Sequence, residues 1–293
     1  MNDVSTTPRR EPRGPLLTLD VQTQLQRAAK AGCSIECSLD LGRSVTTVTP
    51  HETHWEWQGA RYPYVERCRE RTIYFLSDGV FQPIARYSGS LIKLVPTEWG
   101  PPTFEIDGIK MLPTARVSPF EDAARKVRLI EPRGKAILDT CGGLGYFAIW
   151  CLREGAHRVQ SYEKNPDVLW LRRLNPWSPE GGDEADARLT IENADVAARI
   201  GELASASFEA VLHDPPRFGI AGELYSQAFY DELARVLKPR GRLFHYTGTP
   251  NRLTSGRDVP NEVANRLRRA GFATELHLDG VLAVKQGRRG LSR

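Results

Sequence analysis

The spacing of apolar positions changes character along the chain. Between residues 33 and 110 they come in short runs broken by Gly, Pro and Asp-Gly: CSIECSLDL, SVTTVTP, HWEWQG, RYPYV, TIYFLSDGVFQPIARYSG and LIKLVPT. Short runs rich in β-branched and aromatic residues, bounded by turn residues, predict a small antiparallel β domain. PTFEIDGIKML extends it, with Asp107-Gly108 as a further turn. Ahead of this region, LTLDVQTQLQRAAKAG predicts a helix over 17–32 that stops at Gly32.

From about 119 the pattern alternates. PFEDAARKVRLIEP is amphipathic and ends at Pro132; KAILDTC is a buried strand; YFAIWCLREG is a helix closed by Gly155. RVQSYE is a strand and PDVLWLRRLNPW a helix opened by Pro166. After the polar loop SPEGGDEADA come the strands RLTIENAD and FEAVLHD around a short helix. ELYSQAFYDELARVLKPRG repeats apolar groups at Tyr225, Phe229, Leu233 and Leu237, one face of a helix. RLFHYTG is a strand, VPNEVANRLRRAGF a helix, and TELHLDGVLAVKQG a hairpin turning at Asp279-Gly280. Alternation of this kind predicts an open α/β, Rossmann-like sheet, with one antiparallel strand inserted late. Its ligands belong at the carboxyl ends of the strands. The predicted layout is a disordered tail over 1–16, a β-rich domain over 17–115, the α/β domain over 116–287 and a basic tail over 288–293.

Composition narrows the class. Of 293 residues, 40% are hydrophobic and 26% charged, an ordinary globular balance. No apolar run approaches the ~20 residues of a membrane span, and MNDVSTTPRREPRGP lacks the apolar centre of a signal peptide. The expectation is a cytoplasmic protein without a membrane partner. Five cysteines, an odd number, make no disulfide framework. The net charge of +4 is mild, and PRREPR and GRRGLSR near the termini read either as solvated ends or as phosphate contacts to RNA.

The segment LDTCGGLGYF places three glycines within four residues, between a strand and a helix. Gly143, Gly145 and Ala148 fit G-x-G-x-x-G/A: glycine allows the tight turn and close ligand approach, and alanine allows close helix packing. Glu163 stands eighteen residues beyond Gly145 at the next strand end, placed to accept both ribose hydroxyls of an adenosine. NAD shares this layout. However, Asp139 before the turn would oppose a pyrophosphate and could hold an ammonium. Asp195 and Asp214 end the next two strands. Such acids suit S-adenosylmethionine; as a bland alternative they are helix caps, Asp195 in particular.

Residues 119–287 resemble class I methyltransferases. From about 30 onward the chain resembles a group of predicted methyltransferases related to spermidine synthases, through LDTCGGLGY, EKNP, LNPWS, HDPPRF, GELYSQAFYDELARVLKPRGRLFHYTG and SGRDVP. The resemblance implies S-adenosylmethionine as cofactor, bound through Asp139, Gly143, Gly145, Glu163 and Asp195, with Cys141, Lys164 and Asp214 counted in the same set. Cys141 departs from the usual glycine two residues after the acid.

HDPPRF lies where methyl transfer takes place in this fold and resembles the D/N-P-P-aromatic motif of enzymes that methylate amino nitrogens. Pro215 and Pro216 stiffen the strand exit and fix the direction of Asp214, so these three are the candidate catalytic residues. Arg217 stands where the motif has its aromatic and Phe218 follows one residue late; both are candidate substrate contacts. Arginine can stack on a base or grip a phosphate.

Cys33, Cys37, His51 and His54 suggest a zinc site, but packed cysteines and surface histidines fit the local pattern better, and no metal is expected. His213 and His245 are either catalytic or satisfied beside the sheet. WEW at 55–57 reads as β packing. The function expected is methyl transfer to a nitrogen, with RNA as a possible substrate. The alternatives are aminopropyl transfer of the spermidine synthase type, argued against by the lack of an evident acidic lining for a polyamine, and a non-catalytic cofactor-sensing or RNA-binding module.

Overall fold

The structure, a computed structural model, describes residues 14–179, 186–248 and 258–287. Both basic termini, part of the polar loop after Trp177 and the first half of SGRDVP lie outside the described residues. The chain divides between Ser118 and Pro119, and residues 173–179 group with the N-terminal unit.

The N-terminal unit contains β1 (Leu16–Leu17), α1 (Leu19–Ala31), β2 (Ile35–Cys37), β3 (Thr46–Pro50), β4 (His54–Trp57), β5 (Ala60–Pro63), β6 (Tyr74–Ser77), β7 (Val80–Pro83), β8 (Ala85–Tyr87), β9 (Leu91–Val95), β10 (Thr103–Ile106) and β11 (Ile109–Lys110). Leu16, within the span read as a tail, is buried and pairs with Phe75. Helix α1 begins where Thr18 Oγ1 accepts from the Val21 N–H and ends on Gly32 in the left-handed region. The strands form three antiparallel sheets, ordered β1-β6-β7, β2-β3-β4-β5 and β11-β10-β9-β8. Leu17, Leu25, Val48 and Trp55 are fully buried at the centre of one core. Removing each such side chain from water contributes about 1.5–3 kcal/mol. The WEW stretch packs as expected: Trp55 stacks on Tyr62 at 4.5 Å, and Trp57 Nε1 donates to Thr46 Oγ1.

The C-terminal unit runs α2 (Pro119–Leu129), β12 (Ala136–Asp139), α3 (Tyr146–Arg153), β13 (Arg158–Glu163), α4 (Pro166–Leu174), β14 (Leu189–Asn193), α5 (Val196–Arg199), β15 (Phe208–His213), α6 (Gln227–Val236), β16 (Leu237–Tyr246), α7 (Val259–Arg269), β17 (Phe272–His277) and β18 (Gly280–Lys285). Its seven strands are ordered β14-β13-β12-β15-β16-β18-β17. The first five run parallel, while β18 is inserted antiparallel between β16 and β17. This is an open, Rossmann-like α/β sheet. The order reverses at β12, so the carboxyl ends of β12, β13 and β15 open onto one crevice.

One helix is shorter than its periodicity predicts. The helix expected over 223–241 ends at Val236, and Leu237 already pairs with Phe208 in the sheet. The pairing then slips until Arg242 meets Ala210. Lys-Pro-Arg-Gly forms this bulge: Arg240 sits at φ 64°, and a Cβ on Gly241 would lie 2.8 Å from the Lys238 carbonyl oxygen. Among the described residues no helix is long and apolar enough to cross a membrane.

Candidate active site

The glycine turn joins β12 to α3. Gly145 caps the helix at φ 81°, and its N–H donates to the Gly142 carbonyl at 2.7 Å. The Gly142 N–H donates in turn to the Tyr162 carbonyl at 2.7 Å, tying the turn to β13. Behind the turn lies Arg172 of α4, only 3% exposed. A Cβ on Gly145 would stand 2.5 Å from Arg172 Nη2, so bare backbone is required for the guanidinium to fit. None of the three Arg172 nitrogens has a hydrogen-bond partner among the described residues. Burial pulls its pKa down to about 10, while the charges of Asp139 and Glu163 oppose that fall.

Asp139 is fully buried at the end of β12. Ser161 Oγ donates to its Oδ2 at 2.8 Å, and its Oδ1 has no partner among the described residues. Burial pushes its carboxyl up to about 6, against the pull of Ser161 and Arg172. Cys141 is half-buried, and burial raises its thiol well above the ordinary value, so it is neutral.

Glu163 ends β13 and reaches back to the turn. Its Oε2 accepts from the Gly143 N–H at 2.9 Å and its Oε1 from the Asn165 N–H at 2.8 Å. Burial raises its pKa, and these two backbone donors offset part of the rise. Each oxygen keeps acceptor capacity for a hydroxyl. Lys164 points outward and pairs with Asp195 at 2.7 Å. Asp195 also caps α5 by accepting from the Ala197 N–H at 2.9 Å. The bland alternative for Asp195, a cap, is therefore a role it has.

At the end of β15, Asp214 is half-buried, Pro215 buried and Pro216 exposed. Tyr225 Oη donates to the Pro216 carbonyl at 3.1 Å, which clamps the stiff exit. Arg217 is exposed, and Phe218 packs edge-on against Tyr225 with ring centroids 5.5 Å apart. Desolvation pushes the Asp214 carboxyl up to about 7. Lys126 pulls it down, and Asp122, Asp279 and Asp139 push it further up.

Lys126 was not legible as part of the site. It lies on α2, 1% exposed, with Nζ 2.6 Å from Asp122 Oδ2, 3.6 Å from Asp279 Oδ2 and 3.9 Å from the Tyr246 ring centroid. Burial lowers its pKa, but Asp214, Asp122 and Asp279 outweigh that and hold it above the usual lysine value. The one available sequence signal was the Asp122/Lys126 i,i+4 pair, which on its own reads as a surface ion pair. In the sequence Asp279 reads only as a turn residue.

His213 and His245 are fully buried, with rings edge-on at 4.4 Å. His213 Nε2 donates to the Leu224 carbonyl at 3.0 Å, and its Nδ1 accepts from Thr140 Oγ1 at 2.7 Å. His245 Nδ1 donates to the Tyr246 carbonyl, and its Nε2 accepts from Tyr230 Oη. Burial lowers His213 to about 4, so the ring is neutral and braces the strand end beside Asp214.

No family model matches the chain. It is 44% identical over 223 residues to the uncharacterized protein MJ1233 of Methanocaldococcus jannaschii, covering 74% of each chain. It is 37% identical over 112 residues to polyamine aminopropyltransferase 2 of Streptomyces coelicolor, 36% of this chain and 20% of that protein. A spermidine synthase solved with the transition-state analogue AdoDATO has a TM-score of 0.56 at 19% identity, over 71% of this chain and 76% of that one. That last likeness concerns the fold.

Proposed function

The chain belongs to the family of the M. jannaschii protein MJ1233, and we propose that it works as an S-adenosylmethionine-dependent methyltransferase acting on a nitrogen, with RNA as the substrate class. The residues present fit that cofactor. Asp139 Oδ1 is a buried acceptor without a partner among the described residues, and Glu163 retains acceptor capacity at the neighbouring strand end. Such a donor-poor, acceptor-rich rim suits a ligand that brings an ammonium and hydroxyls. Gly143, Gly145, Glu163 and Asp139 would hold it, with Cys141, Lys164 and Asp195 at its margin. When bound, it supplies a methyl group made electrophilic by a sulfonium.

One observation carries the choice of methyl over aminopropyl transfer: Lys126 Nζ sits among Asp122, Asp279 and Asp214. A polyamine acceptor needs bare carboxylates for its ammonium groups. Here an acidic cluster does exist, contrary to the sequence-based expectation, but the chain's own ammonium already fills it. Asp214 then serves a neutral amine. With its pKa near 7, the carboxylate can accept a hydrogen bond from the acceptor N–H and take up the proton. Pro215 and Pro216 hold its direction, and exposed Arg217, with Phe218 beside it, offers a base or phosphate contact.

Asp214→Asn keeps the shape and removes the base. We expect cofactor affinity near wild type, by calorimetry, and turnover down roughly 100-fold or more. Normal turnover in this variant would remove Asp214 from the chemistry.

A further inference from the structure

The hairpin between β3 and β4 brings three metal-ligating side chains together within the N-terminal unit. His51 N–H donates to the His54 carbonyl at 2.8 Å, closing a four-residue turn that sets the two histidines opposite one another. Their rings stack with centroids 4.5 Å apart and planes 21° from parallel. Glu56 lies two residues after His54 along β4, on the same face of the strand. Its Oε2 is 3.9 Å from His51 Nε2 and its Oε1 is 3.6 Å from His54 Nε2. The three ligand atoms lie within 4.8 Å of one another.

Two further observations concern how the group is held. His54 Nε2 is buried and has no hydrogen-bond partner among the described residues, so a polar atom cut off from water faces a carboxylate at a distance too long to bond. Arg61, opposite Glu56 in the β4–β5 pairing, donates from Nε to Glu56 Oε1 at 2.9 Å. That bond orients the carboxylate and leaves Oε2 toward His51. An outer partner of this kind is what fixes a ligand's direction in metal sites.

We propose that His51, His54 and Glu56 form a binding site for a borderline divalent ion, Zn²⁺ being the fit. Two imidazole nitrogens and one carboxylate suit zinc and its neighbours, whereas magnesium and calcium take oxygen ligands. With metal–ligand bonds near 2.1 Å, tetrahedral ligands stand about 3.4 Å apart. The present separations close to that by small side-chain rotations, which half-exposed His51 and Glu56 are free to make. Three protein ligands leave the fourth position open toward solvent. Cys33 and Cys37 are not in this group: Cys33 is exposed, and Cys37 is buried in the core of the unit.

The test uses the tag-free full-length protein, stripped of metal by chelator and titrated with Zn²⁺ by calorimetry, then with Co²⁺ followed by its visible absorption. The wild type is expected to take one Zn²⁺ per chain and to give the intense bands of four-coordinate Co²⁺. His51→Ala and Glu56→Gln change half-exposed side chains, so both are expected to keep the wild-type melting curve without metal. Each should weaken Zn²⁺ at least tenfold, since even outer-partner changes cost roughly 10–100-fold. No stoichiometric Zn²⁺ binding would overturn the proposal. So would wild-type affinity in both variants, or a loss of binding in Cys33→Ser or Cys37→Ser instead.

Discussion

Gly145→Ala tests the link between the glycine turn and the buried arginine. The new methyl group would arrive 2.5 Å from Arg172 Nη2 and 2.6 Å from both Cζ and Nε, well inside contact distance. Arg172 is 3% exposed, so its head cannot swing into water without opening the unit. Two costs add. An alanine held at φ 81° costs about 1 kcal/mol relative to glycine. Displacing the guanidinium deprives Asp139 and Glu163 of the charge that opposes their raised pKa values. Breaking a buried pair costs about 3–5 kcal/mol. The lower end applies here, because the guanidinium acts through its field with no hydrogen bond to either acid among the described residues. A total of about 4 kcal/mol corresponds to a fall in melting temperature of roughly 8–16 °C for a unit of this size. Denaturant unfolding gives the free energy, and calorimetry with S-adenosylmethionine gives the effect on the turn. Gly201→Ala, where an added Cβ meets nothing within 4 Å, is the control expected near wild type. If Gly145→Ala were as stable as that control and bound cofactor normally, Arg172 would not be packed behind the turn as described.

Further expectations concern the acids. Asp214 has a raised folded pKa, about 7 against an ordinary 3.8, so its contribution to stability is full below about pH 4 and is lost as pH rises through 7. Asp214→Asn should therefore match wild-type stability near pH 4 and exceed it at pH 8, while turning over poorly; equal stability at both pH values would show that the carboxyl is not raised. The acid limb of the wild-type rate profile should fall near pH 7, and Lys126→Gln should move it upward by about one to three pH units, since a neighbouring cation of this kind lowers a carboxyl by that much; an unmoved limb would separate Lys126 from Asp214. Glu163→Gln has one carboxamide oxygen for two backbone donors, Gly143 N–H and Asn165 N–H. It should weaken S-adenosylmethionine by about 1–3 kcal/mol in calorimetry, and unchanged affinity would rule out its part in the cofactor rim.

Much of this arrangement was legible in the sequence because the relevant signals are local. The strand-turn-helix around Gly143 and Gly145, the acid at the next strand end and the prolines after Asp214 each lie within a few residues of the element that places them. The antiparallel strand inserted between β16 and β17 followed from the Asp279-Gly280 hairpin. What escaped depends on residues far apart in the chain. Lys126 meets Asp279 only because β18 is threaded into the sheet beside β16, and a lysine on a helix carries no mark that it will be buried. Arg172 is one of two adjacent arginines near the end of α4 and reaches the glycine turn only once that helix packs behind it. Lys-Pro-Arg-Gly resembles a helix terminus, but α6 ends before it because Leu237 is claimed by its pairing with Phe208. His51 and His54 meet Glu56 only through the hairpin, and Cys33 and Cys37 are not in that group.

A paired transfer assay on the purified protein separates methyl transfer from aminopropyl transfer. S-adenosylmethionine labelled in its methyl group is incubated with separated RNA, protein and small-molecule extracts, and decarboxylated S-adenosylmethionine labelled in its aminopropyl group is incubated with polyamines. Methyl label is expected in a nitrogen of the RNA fraction, abolished by Asp214→Asn, with no labelled polyamine. Aminopropyl label on a polyamine with no methyl label in any fraction would contradict methyl transfer.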